Sequence, residues 1–382
     1  MENLEPEWTS GRRWLVDPEP ILDIGSSLQD PEQQLYLVGD VVGSGDDLLI
    51  VNGGTSQILR YDLAGNLKLR IGRRGSGPGE FSRLSGLYRC GGDTLVANDF
   101  SRMVTLSPAG GFLRTEPVRR APGEGSIRVR GATADCSTFV LSPGVDVSPE
   151  LGQVGRRSTR FTWGSLDGTE RKDIGAFPTR EVVTRIVEEM AQPVPLPWGA
   201  DGAWAIGQGQ FHIGSTDRAE IRVFAPSEGL VAIVRWAAKA QPITEQDRQL
   251  YQARREWLLE AFPPAAPVAA PLDEYPKIPD KMPLFRSLLL DDAKNLWIRQ
   301  YPRFVAGRPD LFDRDVPMRY TPPSGLEAER WTVLDSGGRW LGEVETPLDL
   351  VVRSVYRNMV IGVWKDSLDV EHVRAYRLRK DS

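Results

Sequence analysis

The chain has 382 residues, 40% of them apolar, and carries 47 basic against 52 acidic side chains for a net charge of −5. That balance, without a basic run or interleaved aromatic and basic residues, gives no support to nucleic-acid binding, and no stretch reaches the ~20 apolar residues of a membrane helix. With 38 glycines and 29 prolines, the composition suits many short strands separated by turns within one large domain.

The opening MENLE is acidic and lacks the basic start and apolar centre of a signal peptide. A lone strand is predicted over 20–26 (PILDIGS), with no unit of its own around it. Residues 46–72 (DDLLIVNGGTSQILRYDLAGNLKLRIG) then read as three strands linked by tight turns. Residues 92–118 repeat the scheme, with Leu48 answered by Leu95 and Gly65 by Gly110, a period of about 46 residues. Several strands per unit at such a period suggest a propeller blade.

Between those two units lies IGRRGSGPGEF, residues 71–81. Gly72 and Gly77 have the gap of a P-loop, but Pro78 and Gly79 follow where Lys and Ser/Thr are needed. A dinucleotide fingerprint fails at its third glycine, and no helical period follows Phe81. The segment is therefore predicted to be a long turn that binds no nucleotide, linking one blade's outermost strand to the next blade's innermost one.

Further units recur at 160–175, 220–236 and 330–344, preceded by partner strands at 137–142, 202–207 and 294–300. A sixth, 348–380, supplies three strands and lacks a fourth, which the strand at 20–26 would provide by pairing beside the last one. That closes the ring and removes an exposed sheet edge. Three segments break the repeat. At 237–283, Thr244 and Asp247 form a capping box, Leu250, Tyr251, Trp257, Leu258 and Ala261 recur at helical spacing, and a proline-rich stretch from Pro263 follows. Within 179–190, Val182, Val183, Ile186, Val187 and Met190 also fit a short helix. Residues 301–329 read as a long polar loop. If the three share one face, they form the expected contact surface.

The stretch from 46 to 81 resembles an NHL-type repeat, with its apolar strand, its Asp-x-x-Gly hairpin and its Gly-x-Gly-x-Phe exit. From EPEWTSG and PILDIG to VIGVWKDSLDVEHVRAYRL, the chain resembles secreted bacterial six-bladed β-propellers of unknown function. The expected fold is all-β: a six-bladed β-propeller of four-stranded antiparallel blades, closed by the N-terminal strand, with short helical insertions. Its blades are expected at 35–81, 82–121, 122–177, 197–236, 284–345 and 346–382, with 20–26 completing the last and 237–283 inserted between the fourth and fifth. The resemblance also implies an extracytoplasmic (periplasmic or secreted) protein whose leader was trimmed, Met1 being an addition.

Cys90 and Cys136 are the only two cysteines, and both follow the first strand of consecutive units. Equivalent turns of neighbouring blades lie close, so a disulfide is favoured over two free thiols, and a bond implies an oxidising compartment. Trp204, Trp297, Trp331, Trp340 and Trp364 fall inside strands and are expected to pack between blades.

Chemistry is sparsely signalled. His212 and His372 stand far apart and read as hydrogen-bonded structural residues, and no Gly-x-Ser-x-Gly elbow is present. Asn52, Asn98, Asp99 and Asp366 lie near strand ends, where turn capping is the plainer reading and a calcium site in a central channel the sharper one. Asp369 and Glu371, two apart on a strand, are expected on an exposed hairpin face. The sequence therefore favours a non-enzymatic binding or scaffold module that contacts a protein or a glycan, with no catalytic residue and no cofactor assigned. A calcium-dependent hydrolase or lactonase, and a glycan-processing enzyme with paired carboxylates, are the alternatives.

Overall fold

The computed structural model describes residues 1–8, 13–25, 34–143, 148–187, 189–207, 209–261, 270–302, 328–366, 368 and 370–380. Two strands open the chain, β1 (Glu2–Asn3) and β2 (Trp14–Ile24). The first sheet follows as β3 (Val38–Ser44), β4 (Asp47–Asn52), β5 (Gln57–Asp62) and β6 (Leu67–Ile71). The second is β7 (Leu84–Arg89), β8 (Leu95–Asp99), β9 (Arg102–Leu106) and β10 (Phe112–Pro117). The third is β11 (Ile127–Ala132), β12 (Phe139–Pro143), β13 (Val154–Gly164), β14 (Arg171–Val187) and β15 (Met190–Pro195).

The fourth sheet holds β16 (Gly202–Gly207), β17 (Gln210–Ser215), β18 (Glu220–Ala225) and β19 (Gly229–Trp236), with β1 added in parallel at its outer edge. After helix α1 (Glu245–Ala261) comes the fifth, β20 (Phe285–Leu290), β21 (Leu296–Gln300), β22 (Arg330–Leu334) and β23 (Trp340–Glu345). The sixth is β24 (Val351–Tyr356), β25 (Met359–Lys365) and β26 (Glu371–Lys380), beside which β2 pairs antiparallel from Trp14↔Lys380 to Ile24↔Val373. Apart from β1, every strand pairs antiparallel with its neighbours, as in a β-propeller.

Alternation within each strand explains how the sheets cohere. In β4, Leu48 and Ile50 pack toward the sixth sheet, while Leu49 and Val51 pack toward the second. Successive side chains point to opposite faces, so a strand buried on both sides needs the unbroken apolar run Leu48–Val51. Equivalent apolar clusters join the second sheet to the third around Phe139 and Leu141, the third to the fourth around Phe161 and Phe211, the fourth to the fifth around Phe285, and the fifth to the sixth around Trp297 and Trp331. Trp297, Trp331 and Trp340 are buried as expected, and Trp204 and Trp364 are partly buried.

The turns follow local chemistry. Asp62 Oδ1 accepts from the amides of Ala64 and Asn66, and Asp335 Oδ1 from those of Gly337 and Arg339, closing the β5–β6 and β22–β23 hairpins. Residues 72–81 carry the chain from β6 to β7. Gly72 has φ +80°, and a Cβ there would lie 2.2 Å from the ring of buried Phe81. Arg102 donates to the carbonyl of Ser76 at 2.8 Å and to that of Glu80 at 3.1 Å, while the Gly77 amide donates to the loop's own Glu80 carboxylate at 2.9 Å, so the loop is closed on its own side chains.

Two expectations are corrected. The segment 179–190 is strand, not helix: β14 runs to Val187 and turns into β15, giving the third sheet a fifth strand. Val182, Val183, Thr184, Ile186 and Val187 are all β-branched, which disfavours helix. Val183 is buried against Val194, Leu196 and Tyr275, a contact that only the sheet extension creates. Glu371 is buried, not exposed; its Oε2 accepts from the amide of Val38 at 2.7 Å, while Asp369 lies outside the described residues. The capping box at α1 is present, with Asp247 accepting from Thr244 N and Thr244 Oγ1 from Asp247 N. Tyr251 packs on Trp198 and donates to Ala270 O, so α1 docks on its own chain. The side chains of Trp257, Leu258 and Ala261, and most of the 301–329 loop, lie outside the described residues.

Candidate functional site

Five of the six inner strands carry a β-bulge near their start. Pairing skips one register step around Asp40 on β3, Ser85 on β7, Arg130 on β11, Arg286 on β20 and Arg353 on β24. A bulge inserts an extra residue and re-aims its side chain. A small neighbour accompanies each: Gly39, Gly86, Gly131, Ser287 and Ser354.

These residues communicate across sheet boundaries. Asp40 Oδ2 accepts from Leu87 N on β7 at 3.0 Å. A Cβ on Gly86 would stand 3.0 Å from that oxygen, so glycine leaves room for it. Burial raises the Asp40 carboxyl above its usual range, opposed by the Leu87 amide and by Arg353. Tyr88, raised by burial, feels Asp40 on one side and Arg130 on the other, and its hydroxyl meets Asn98. Arg130 donates to Ser142 Oγ at 2.8 Å and stacks over Trp204 on β16, 5.2 Å from the ring centre.

On the other side of Arg353 lies Glu329, which precedes β22 and forms an ion pair with Arg299 of β21. Glu329 is buried, with Oε2 lacking a hydrogen-bond partner among the described residues. Burial pushes its carboxyl up to about 7 against the opposing fields of Arg299 and Arg353. The result is a continuous polar set, Glu329–Arg353–Asp40–Tyr88–Arg130–Trp204, drawn from the inner strands and flanks of all six sheets. Its bulged members are two arginines, Arg130 and Arg353, against one carboxylate, Asp40. Planar guanidinium forks in a partly enclosed setting suit a carboxylate or similar anion.

The residues singled out from sequence fall elsewhere, with one exception. Asn52 holds its own loop, accepting from Tyr36 N and donating to Gln34 O. Asp99 accepts from Ser82 N and Arg102 Nε, and Asp366 from Leu368 N and Val370 N. These three belong to three different sheets and are not brought together; only Asn98 reaches the polar set, through Tyr88. Among the described residues no group of three or more His, Cys, Asp or Glu is gathered to hold a metal. Cys90 and Cys136 are bonded, joining the β7–β8 turn to the β11–β12 turn. His372 is fixed by Asp23, whereas His212 has a buried Nδ1 with no partner among the described residues. Sequence reading missed the bulged residues, although Arg130-Gly131, Arg286-Ser287 and Arg353-Ser354 repeat an arginine–small pair on the first strands of three of the six sheets.

No family model matches the chain, and no curated protein matches it. Among solved structures it is similar to a member of the DUF4221 family from Bacteroides vulgatus, with a TM-score of 0.54 and 11% identity over 97% of this chain and 99% of that one. It is similar as well to a Bacteroides fragilis protein named as an inferred exported protein, with a TM-score of 0.50 and 11% identity over 100% of this chain and 99% of that one. A gluconolactonase from Xanthomonas campestris aligns at a TM-score of 0.40 and 12% identity over 90% and 87% of the two chains, too remote to bear on activity. At these identities the likeness concerns fold alone, and with the sheet arrangement above it is that of a β-propeller.

Proposed function

We propose that this chain is an extracytoplasmic, non-enzymatic binding module: a six-bladed propeller, closed by β2, that takes an acidic glycan at the inner-strand end of its central channel. Its blades are the six sheets, with the third extended from residue 177 to Pro195. The observation that carries the reading is the repeated bulge, which sets Arg130 beside Tyr88 and over the ring of Trp204 and recurs at Arg286 and Arg353 on the first strands of the fifth and sixth sheets. Arginine beside aromatic rings suits a sugar ring bearing a carboxylate. Because α1 docks on its own chain, this cluster is preferred over the insertions as the contact surface. The extracytoplasmic placement is supported by the Cys90–Cys136 bond and by the inferred export of the Bacteroides fragilis protein. Titration with tri-galacturonate and with neutral maltotriose tests the proposal. Selective binding of the acid, weakened about tenfold by Arg353→Ala and by added salt, is expected. Equal binding of both sugars, or preference for an acidic peptide, overturns the glycan reading.

One observation favours a second reading, a glycan-processing enzyme. Glu329 and Asp40 both lie beside Arg353, and both carboxyls are raised by burial, Glu329 to about 7, the state of a general acid at neutral pH. Release of reducing ends that is lost in Glu329→Gln would replace the binding reading. For a calcium-dependent hydrolase, only Asn98 of the four oxygen-bearing candidates stands near this cluster, and metal analysis of the purified protein tests it.

A further inference from the structure

The interface between the fourth and fifth sheets is filled at one end and hollow at the other. Beside the start of β20, Trp236 and Phe285 pack with ring centres 5.8 Å apart. Toward the far ends of β16 and β20, around Gly207 and Leu290, a cleft of about 370 Å³ opens. This is the end of the inner strands opposite the bulges. Val223, Val234, Leu290 and Leu334 wall the cleft, exposed Lys294 stands at its edge, and His212 lines its interior.

His212 breaks the pattern of its strand. Phe211 and Ile213 belong to the apolar cluster shared with the third sheet, so His212 faces the fifth, where an apolar side chain would complete the interface. It is 9% exposed, and its Nδ1 is buried with no hydrogen-bond partner among the described residues. Burial holds the imidazole neutral at neutral pH, its pKa lowered to about 4. An unmatched buried polar atom is destabilising, and a turn of the imidazole toward the cleft would give that nitrogen a ligand oxygen as its partner. The carboxylate of Asp335, also at the cleft, is already engaged by Arg339 and by the amides of its own hairpin. That leaves the Lys294 ammonium as the charge offered to a ligand.

We propose that this cleft is a second binding site, for a small hydroxylated carboxylic acid with an apolar body. The body lies against the valine and leucine walls, the carboxylate meets Lys294, and the hydroxyl exchanges a hydrogen bond with the His212 imidazole. The chain holds only two histidines, so long-range proton–nitrogen correlation spectra report on His212 with His372 as internal control. With 4-hydroxyphenylacetate as probe, the His212 nitrogens should shift while those of His372 stay still. Phenylacetate should bind about tenfold more weakly, Lys294→Glu should cost about tenfold in affinity, and His212→Leu, which fills a core position with an apolar group, should cost a similar factor. Tyramine, which replaces the carboxylate by an ammonium, should leave His212 unmoved. No His212 shift at saturating probe, an equal shift with tyramine, or unchanged affinity in Lys294→Glu would overturn the proposal. Because this site lies at the opposite end of the inner strands, its failure leaves the acidic-glycan reading untouched.

Discussion

His372 donates through Nδ1 to Asp23 Oδ1 at 2.7 Å, and this contact fastens the N-terminal strand to the C-terminal one. Arg374 Nε donates to the other Asp23 oxygen at 2.8 Å while its guanidinium stacks 3.4 Å from the centre of the Trp364 ring. Leu22 and Ile24, on either side of Asp23, are buried in the cluster shared by the sixth and first sheets. Asp23→Ala should therefore lower stability by about 1–3 kcal/mol. Deleting residues 1–24 should abolish cooperative unfolding, because Val373 and Ala375 lose their cover. Urea melts of both variants check this; a truncated chain that melts like the full one removes β2 from the core.

The Cys90–Cys136 bond closes a loop of sequence separation 46. The chain-entropy model gives such a loop roughly 4 kcal/mol. Reductant should lower the melting temperature, and the double Ser variant should melt like the reduced protein. Thiol titration of unfolded, unreduced protein should find no free thiol.

Stability against pH should reveal two buried groups of opposite sign. Folded Glu329 keeps its proton up to about pH 7 against an ordinary 4.5, so its contribution is present below pH 4.5 and lost as pH rises to 7. Folded His212 stays neutral down to about pH 4 against an ordinary 6.5, so its contribution is present above pH 6.5 and lost as pH falls to 4. Each is on the order of 3 kcal/mol across its window, and the windows overlap. Between pH 4.5 and 6.5 the two oppose one another. Urea unfolding should give Glu329→Gln a stability that rises with pH, and His212→Leu one that falls. Parallel profiles in the two variants would refute the assignment.

The Gly72 turn is a packing device. Gly72→Ala should destabilise by about 1–3 kcal/mol, through its positive φ and the clash with Phe81. It should leave no nucleotide affinity to lose, since equilibrium dialysis with ATP should find none in the parent protein.

Much of the architecture was legible in the residues because it is set locally. The Leu48–Val51 run, the Asp62 turn and the Thr244–Asp247 box each act within about ten residues, where period and hydrogen-bonding chemistry decide the outcome. The matched positions of Cys90 and Cys136 followed from the repeat itself. What the residues left open depends on neighbours distant in the chain. Residues 182–190 fit a helical stripe, yet Val183 became strand because Val194 and Tyr275 cover it. His212 read as a hydrogen-bonded structural residue, yet its Nδ1 has no partner among the described residues and the fifth sheet leaves a hollow beside it. The bulges at Arg130, Arg286 and Arg353 show only as a register slip between paired strands, which a single strand cannot display. Local propensity thus determined the strands and turns; burial against other sheets decided where the polar groups between them point, and with them the candidate sites.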